Sequence, residues 1–204
     1  MPRAFAAITF TDSVKAAQSR YGSRDANRGF ELAEDGRNEI GPREAQFIAA
    51  RDSFYQATVG DNGWPYVQHR GGRAGFLKVL DARTIGYADF RGNVQYVSVG
   101  NLMGDERVSL ILMDYANRRR LKIWGRARIV HEADAPELLA RLEDPSYRAP
   151  VERGVVITVE AWDWNCPKHI TPRYTVPEVE VMLEQLQAEI ADLKAQLASR
   201  QNPM

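Results

Sequence analysis

The chain has 204 residues, of which 27 are Lys or Arg and 27 are Asp or Glu, so its formal net charge is zero. This balance excludes a generic nucleic-acid-binding protein, which needs a basic surface to displace counterions. A single cysteine excludes an internal disulfide. No apolar stretch approaches the roughly 18 residues that cross a bilayer, and residues 1–5 lack a signal peptide's apolar core. We therefore expect a cytoplasmic protein that binds neither nucleic acid nor membrane.

Residues 1–41 are predicted to form an N-terminal arm. Thr11 can cap a short helix that ends before Gly22. Residues 22–41 are rich in charge and glycine and too polar for a core, so we expect a segment that wraps over a surface. Pro42 then begins a second helix, predicted over residues 42–52.

Short β-type segments dominate from residue 53 onward. The segments are 53–59, 66–70, 75–80, 84–90, 108–115, 120–130 and 155–162. Helices are predicted over 94–103 and 135–142. Because no alternation of strand and helix appears, the pattern indicates a mainly β domain over residues 42–175, either a barrel or a sandwich.

The C-terminal segment, residues 176–204, carries a heptad pattern. Its apolar positions, spaced alternately by four and three residues, are Val179, Leu183, Leu186, Ile190, Leu193 and Leu197. Two interpretations are open: an amphipathic helix that lies on its own domain, or a coiled coil across a dimer.

No catalytic constellation is evident. The three histidines lie in no nucleophile motif, and the pair formed by Cys166 and His169 lacks the partner cluster that a metal site needs. The glycine-rich run 71–75 precedes a strand rather than opening a helix, so it is not a dinucleotide-binding loop. We predict no metal site and assign no catalytic residue.

An anion site is predicted where a strand gives way to a helix. Arg91, Asn93 and Gln95 lie at that junction, where free backbone N–H groups, a guanidinium and two amides suit a phosphate monoester. The run Arg118–Arg120 and the aromatic Trp162 and Trp164 add charge and flat surfaces. Each feature alone has a structural explanation, but jointly they indicate a flat, phosphorylated ligand.

Several motifs resemble a known family. The runs are GWPYVQHRGG at 63–72, GFLKVL at 75–80, YADFRGN at 87–93, SVGNL at 98–102, RVSL at 107–110 and RLKIWGRA at 120–127. Over about residues 42–175 the chain is similar to the pyridoxamine 5′-phosphate oxidase-like family of FMN-binding split barrels. The ending WNCPKHI at 164–170 resembles an oxidase-related subgroup.

The resemblance implies a six-stranded antiparallel split β-barrel with peripheral helices, a homodimer, and FMN at the dimer interface. It implies that the ring and ribityl chain lie against Gln68, His69, Arg70, Phe76, Leu77, Lys78, Tyr87 and Ala88. It implies that Arg91, Asn93 and Gln95 hold the phosphate, that Ser98 and Asn101 are weaker candidates, and that Arg120 contacts the flavin. Trp164 and Arg173 would come from the other subunit.

The implied activity is an FMN-dependent oxidoreductase that acts on a small organic molecule, with NADH or NADPH as a candidate reductant. Residues 134–153 lack the groups that bind the vitamin's phosphate in the true oxidase, and the Arg-x-His element is absent. The sequence therefore favours a reaction other than vitamin B6 oxidation. The alternatives are a non-catalytic flavin-binding or sensing protein, the oxidase itself, and a haem-binding relative.

Overall fold

A seven-stranded antiparallel sheet organises the part of the chain described by the computed structural model, residues 2–164 and 166–201. Asn165, within the WNCPKHI motif, lies outside the described residues. The strands are β1 (Ser53–Val59), β2 (Pro65–Gly71), β3 (Lys78–Asp81), β4 (Thr84–Phe90), β5 (Arg107–Asp114), β6 (Arg119–Val130) and β7 (Val151–Trp164). The helices are α1 (Ala4–Thr9), α2 (Asp12–Arg20), α3 (Arg24–Glu31), α4 (Pro42–Ala49), α5 (Val97–Gly104), α6 (Pro136–Leu142) and α7 (Val176–Gln201).

The sheet curls on itself and leaves a seam. The strand order is β2-β1-β5-β6-β7-β4-β3, so β2 and β3 form the two edges. Phe54 of β1 and Tyr87 of β4 nevertheless pack with ring centroids 5.3 Å apart, which brings the two ends of the sheet together. The predicted mainly β split barrel is confirmed. The strand count is seven rather than six, because the four-residue β3 pairs with β4 as a separate edge strand.

Strand alternation fills the barrel. In β1, the side chains of Phe54, Gln56 and Thr58 point inward and are buried, while the residues between them are more exposed. Inward residues of β5 and β6 complete the core, namely Val108, Leu110, Leu112, Leu121, Ile123 and Ala127. Helix α4 covers one end of the core with Phe47 and Ile48.

The long strands β6 and β7 change register at one glycine. The shift lies between Trp124 and Gly125. A Cβ atom added at Gly125 would lie 2.4 Å from the backbone oxygen of Thr158, closer than atoms can pack. Only glycine fits here, since the opposing backbone approaches without room for a side chain.

The N-terminal arm packs on the outer face of the sheet. Phe5 of α1 contacts Trp124 of β6 with ring centroids 5.0 Å apart. The Arg3 guanidinium binds the Asp35 carboxylate at 2.6 Å, and Arg37 Nη1 donates to Asp163 Oδ1 of β7 at 2.6 Å. These contacts fix both ends of the arm to the strands beneath it.

Within residues 22–41, for which the sequence predicts a segment that lies over a surface, the structure contains a helix, α3. An ion pair between Arg24 and Glu31 spans the helix. The ring of Phe30 packs at 5.6 Å from Phe5, so tertiary contact stabilises a segment whose composition is polar. Helix α2 matches its predicted position, and the Thr11 side chain accepts from the Val14 backbone N–H as a cap.

Helix α7 does not lie on its own barrel, so that interpretation is wrong. Its heptad residues from Val179 to Leu197 are between 41% and 58% exposed.

In the described residues, no helix combines the length and apolar character that crossing a bilayer requires.

Candidate functional site

Two adjoining cavities follow the seam between β2 and β4. One, the barrel-side cavity, has a volume of about 260 Å³ and reaches from β2 to the loop around Tyr147. The other, the helix-side cavity, has a volume of about 40 Å³ and lies at the start of α5. Both are lined by Gln68, Arg70, Asp89, Phe90 and Gly92. The open side of the barrel thus supplies one continuous cleft.

The barrel-side cavity collects most of the residues predicted to contact a ring and its chain. Its lining includes Gln68, His69, Arg70, Phe76, Tyr87, Ala88 and Arg91. Tyr87 and Ala88 are 1% and 2% exposed, so their side chains belong to the core and only a small part of each residue reaches the cavity. These two residues therefore contribute little accessible surface to the cavity.

Strand alternation separates His69 from its neighbours. The His69 ring packs against Tyr55 at 5.5 Å between centroids on one face of β2. Gln68 accepts a hydrogen bond from the Ser98 hydroxyl at 2.8 Å, and Arg70 binds Asp89, both on the other face. Because successive side chains of a strand point to opposite faces, the three residues do not act as one group.

The helix-side cavity collects the residues predicted to hold a phosphate. Asn93, Gln95 and Ser98 all line it. The Gln95 backbone N–H donates to Asn93 Oδ1 at 3.2 Å, which shapes the loop before α5. Ser98 lies in the first turn of α5, where backbone N–H groups lack partners within the helix. These donors suit an anion, because the carboxylates of Asp89 and Glu152 that also line this end are paired with arginines.

The loop before α5 has an unusual backbone. Val94 and Tyr96 have φ angles of 54° and 52°, in the left-handed region that β-branched and aromatic residues rarely adopt. For this reason the helix predicted over 94–103 begins only at Val97, and the prediction is wrong by its first turn. Strained backbone of this kind is concentrated at binding sites.

A buried charge cluster lies beside both cavities. Asp89 is 5% exposed, accepts from Arg70 Nη1 at 2.5 Å, and lies 3.7 Å from Arg153 Nε. Burial raises the pKa of Asp89, and the charges of Arg70 and Arg153 oppose that rise. Glu152 binds Arg153 and accepts from the Tyr96 hydroxyl at 3.0 Å.

Two guanidinium donors in this cluster are unsatisfied. The Nε atoms of Arg70 and Arg153 are buried without a hydrogen-bond partner. A buried N–H without a partner costs free energy, so such a donor is a place where a ligand acceptor is stabilising. Arg70 lines both cavities, so its unsatisfied donor fits a phosphate group there, whereas Arg153 lies beside the cavities without lining them.

Sequence reasoning missed Asp89, Glu152 and Arg153. Asp89 is a charged residue within the buried run of β4. Because a buried carboxylate needs a cation partner, its place in that strand is a signal that the sequence contains. Which arginine supplies it depends on the curling of the sheet, which the sequence does not reveal.

Six predicted residues line neither cavity: Leu77, Lys78, Asn101, Arg120, Trp164 and Arg173. Leu77 is buried in the core, and Asn101 donates to Thr58 Oγ1 at 2.9 Å. Lys78 begins β3, and Arg120 lies near the start of β6 opposite Met113.

Trp164 and Arg173 have partners within their own protomer. The Trp164 indole N–H donates to Glu44 Oε1 at 2.8 Å, and its ring packs on Phe47 at 4.7 Å. The Arg173 guanidinium carbon lies 4.9 Å from the centroid of the Tyr115 ring.

Among the described residues, no group of three or more His, Cys, Asp or Glu could hold a metal ion.

Comparison with known proteins identifies a family that is consistent with the split-barrel fold. The model of the pyridoxamine 5′-phosphate oxidase family matches residues 40–166, which is more than half of the sequence. The chain belongs to the pyridoxamine 5′-phosphate oxidase family. No curated protein matches it.

Solved structures share the fold at low identity. HupZ of Group A Streptococcus is 16% identical, with a TM-score of 0.50, covering 66% of this chain and 99% of that one. A variant of HupZ gives 18% identity, a TM-score of 0.51, and coverage of 62% and 99%. An FMN-binding protein from Syntrophomonas wolfei is 16% identical, with a TM-score of 0.46 and coverage of 74% and 97%.

Proposed function

We propose that the protein is an FMN-binding flavoprotein and a homodimeric FMN-dependent oxidoreductase that acts on a small organic molecule. The observation that carries the proposal is the cleft along the seam, which joins an anion-binding end to a larger cavity. Membership of the pyridoxamine 5′-phosphate oxidase family supports the same cofactor.

The phosphate end is supplied by the helix-side cavity. Gln95 and Ser98 offer amide and hydroxyl donors, and Arg70, which lines the same cavity, offers a buried Nε–H group without a hydrogen-bond partner. Arg91 contributes positive charge at longer range, because its side chain is 65% exposed. Its Nε atom lies 3.9 Å from Glu152 Oε1. Charge-assisted hydrogen bonds of this kind are about twice as strong as neutral ones.

The flavin end is supplied by the barrel-side cavity. Gln68 offers a hydrogen-bonding amide, and Arg70 adds positive charge. Bound FMN would supply the redox chemistry, and the protein's part is to place the cofactor and adjust its electron affinity. A nearby guanidinium favours the reduced, negatively charged cofactor, so Arg70 has this role in addition to binding.

The N-terminal arm leaves the cleft uncovered. Phe5 of the arm packs on Trp124 of β6, and no residue of the arm lines either cavity in the described part of the chain. An uncovered cleft favours an enzyme over a binding module, because a substrate or a nicotinamide reductant needs access to the cofactor.

The cofactor is tested by the absorption spectrum of the purified protein and the mass of the compound released on denaturation. We expect a flavin spectrum and FMN. A preparation that stays colourless after addition of FMN would overturn the proposal. Steady-state oxidation of NADH or NADPH then separates an oxidoreductase from a protein that only binds flavin.

The phosphate position is tested with Gln95→Ala, comparing affinities for FMN and riboflavin. Loss of a hydrogen bond to the charged phosphate should weaken FMN binding by about 1.5–3 kcal/mol and leave riboflavin binding unchanged. Gln46→Ala is the matched control, since Gln46 is exposed on α4 and lines neither cavity. Equal effects on both ligands would show that the phosphate lies elsewhere.

A further inference from the structure

Helix α7 presents a continuous apolar stripe to solvent. In heptad notation the a positions are Val176, Leu183, Ile190 and Leu197, and the d positions are Val179, Leu186 and Leu193. All seven side chains are between 41% and 71% exposed. A continuous stripe of this kind on an exposed helix is stabilised only when another surface covers it.

The N-terminus of α7 is capped by residues of its own segment rather than by the barrel. At its N-terminus, Glu178 Oε2 accepts from the Thr175 backbone N–H at 2.7 Å and from the Thr175 hydroxyl at 2.8 Å, a capping box. The helix has 26 residues, about 39 Å in length. Apolar packing along the stripe is the remaining source of stability that an isolated helix lacks in water.

We propose that the partner covering this stripe is α7 of a second copy of the chain, in a parallel two-stranded coiled coil. From Val176 to Leu197 every a and d residue is aliphatic. Ile190 at a with Leu186 and Leu193 at d is the combination that favours two parallel strands. The pairing is independent of flavin binding.

Charges beside the stripe fit this arrangement. Glu189 at g and Lys194 at e lie five residues apart, the spacing that joins neighbouring helices of a parallel pair, and two such contacts form by symmetry. Neither residue has an opposite charge three or four positions away on its own helix. Their charges are therefore available to a partner helix.

The antiparallel arrangement fits less well. It also allows two attractive contacts, between Glu180 and Lys194, but it brings the two copies of Glu189 together near the centre of the pair. Like charges at that position are destabilising. Charge complementarity thus selects the parallel orientation.

Disulfide cross-linking of the full chain tests the orientation. In a Cys166→Ser background, which removes the exposed native thiol, Leu193→Cys places a thiol at a d position. A parallel pair brings the two new thiols together, so mild oxidation should yield a covalent dimer. Ala188→Cys, at the outward f position, is the control and should stay monomeric on a denaturing gel.

Two other outcomes would overturn the proposal. An antiparallel pair places residue 193 beside residue 183, so cross-linking only in a Leu183→Cys/Leu193→Cys double variant would show the opposite orientation. No cross-linking in either variant would show that α7 does not pair with itself.

Charge reversal supplies a second measurement. Glu189→Lys replaces two attractive contacts by repulsive ones, so the yield of cross-linked dimer should fall by roughly tenfold at low salt. Adding Lys194→Glu to that variant should restore the yield. A yield that neither substitution alters would contradict the proposed parallel register.

Discussion

Arg70 of β2 donates from Nη1 to Asp89 Oδ1 of β4 at 2.5 Å, across the seam of the barrel. In the sheet order β2 is one edge and β4 lies next to the other edge, so this ion pair joins the two ends of the sheet. The Arg70 side chain is 14% exposed and that of Asp89 is 6% exposed. The pair is therefore shielded from water where the barrel closes.

Replacing Arg70 by methionine should destabilise the apoprotein. Asp89 would keep only Arg153, at 3.7 Å, as a counter-charge. Since removal of one partner leaves a buried charge, we expect a loss of about 2–3 kcal/mol in the free energy of unfolding. Urea denaturation measures it, with Arg107→Met as the exposed control. Equal midpoints for the two variants would contradict the assignment of the pair as buried.

A buried amide and hydroxyl should behave as a coupled pair. The Tyr87 hydroxyl donates to Gln56 Oε1 at 2.9 Å, while Gln56 Nε2 is buried without a hydrogen-bond partner. Tyr87→Phe leaves the amide without any partner and should cost about 1–3 kcal/mol. The double variant with Gln56→Leu should recover most of that loss, because no polar group then remains unpaired. Additive losses in a urea-denaturation cycle would exclude coupling.

Two glycines should respond oppositely to alanine. At Gly125 a Cβ atom would lie 2.4 Å from the Thr158 oxygen and 2.7 Å from Ile157 Cγ2. Gly125→Ala should therefore lower stability by more than about 2 kcal/mol. At Gly100 of α5 nothing lies within 4 Å, so Gly100→Ala should stabilise the helix by about 0.5–1 kcal/mol. Thermal denaturation of both variants tests the contrast.

The arm should loosen in acid. The hydrogen bond from Arg3 holds the pKa of Asp35 below its usual 3.8. A carboxyl with a lowered folded-state pKa contributes stability above its unfolded pKa, and this is lost as the pH falls through the folded value. The protection factors of the amides of residues 4–31, which correct for the pH dependence of intrinsic exchange, should therefore fall below pH about 4.

Asp35→Asn is the matched variant for the arm. It removes the charge at every pH, so the protection factors of the arm at pH 7 should already be lower than those of the wild-type protein. Their further fall in acid should be smaller. Identical pH profiles for the two proteins would show that another group controls the arm.

Several elements were predictable because local signals were strong. Strands β1 and β4 have the bounds predicted for them, 53–59 and 84–90. In β1 an alternating pattern ends at a turn signal, and in β4 a run of buried residues ends at Arg91 and Gly92. Helices α1 and α3 were missed because the contacts of Phe5 and Phe30, rather than their composition, stabilise them.

The candidate site was predictable in part. Motif resemblance selected Gln68, Arg70 and Ser98, which the structure brings together. It also selected His69, whose ring strand alternation places on the opposite face of β2 from the side chains of Gln68 and Arg70. Arg153 could not be found from sequence, because its relation to Asp89 arises from pairing between distant strands.

The barrel is joined along its seam by side chains, since β2 and β4 share no ladder of backbone hydrogen bonds in the described sheet. A ligand bound along the seam would contact both β2 and β4 and so connect the two ends of the sheet. Its binding free energy adds directly to the protein's resistance to denaturation, by RT ln(1 + [L]/Kd). Thermal-shift screening of compound collections would thus read out occupancy of this cleft without any assay of turnover.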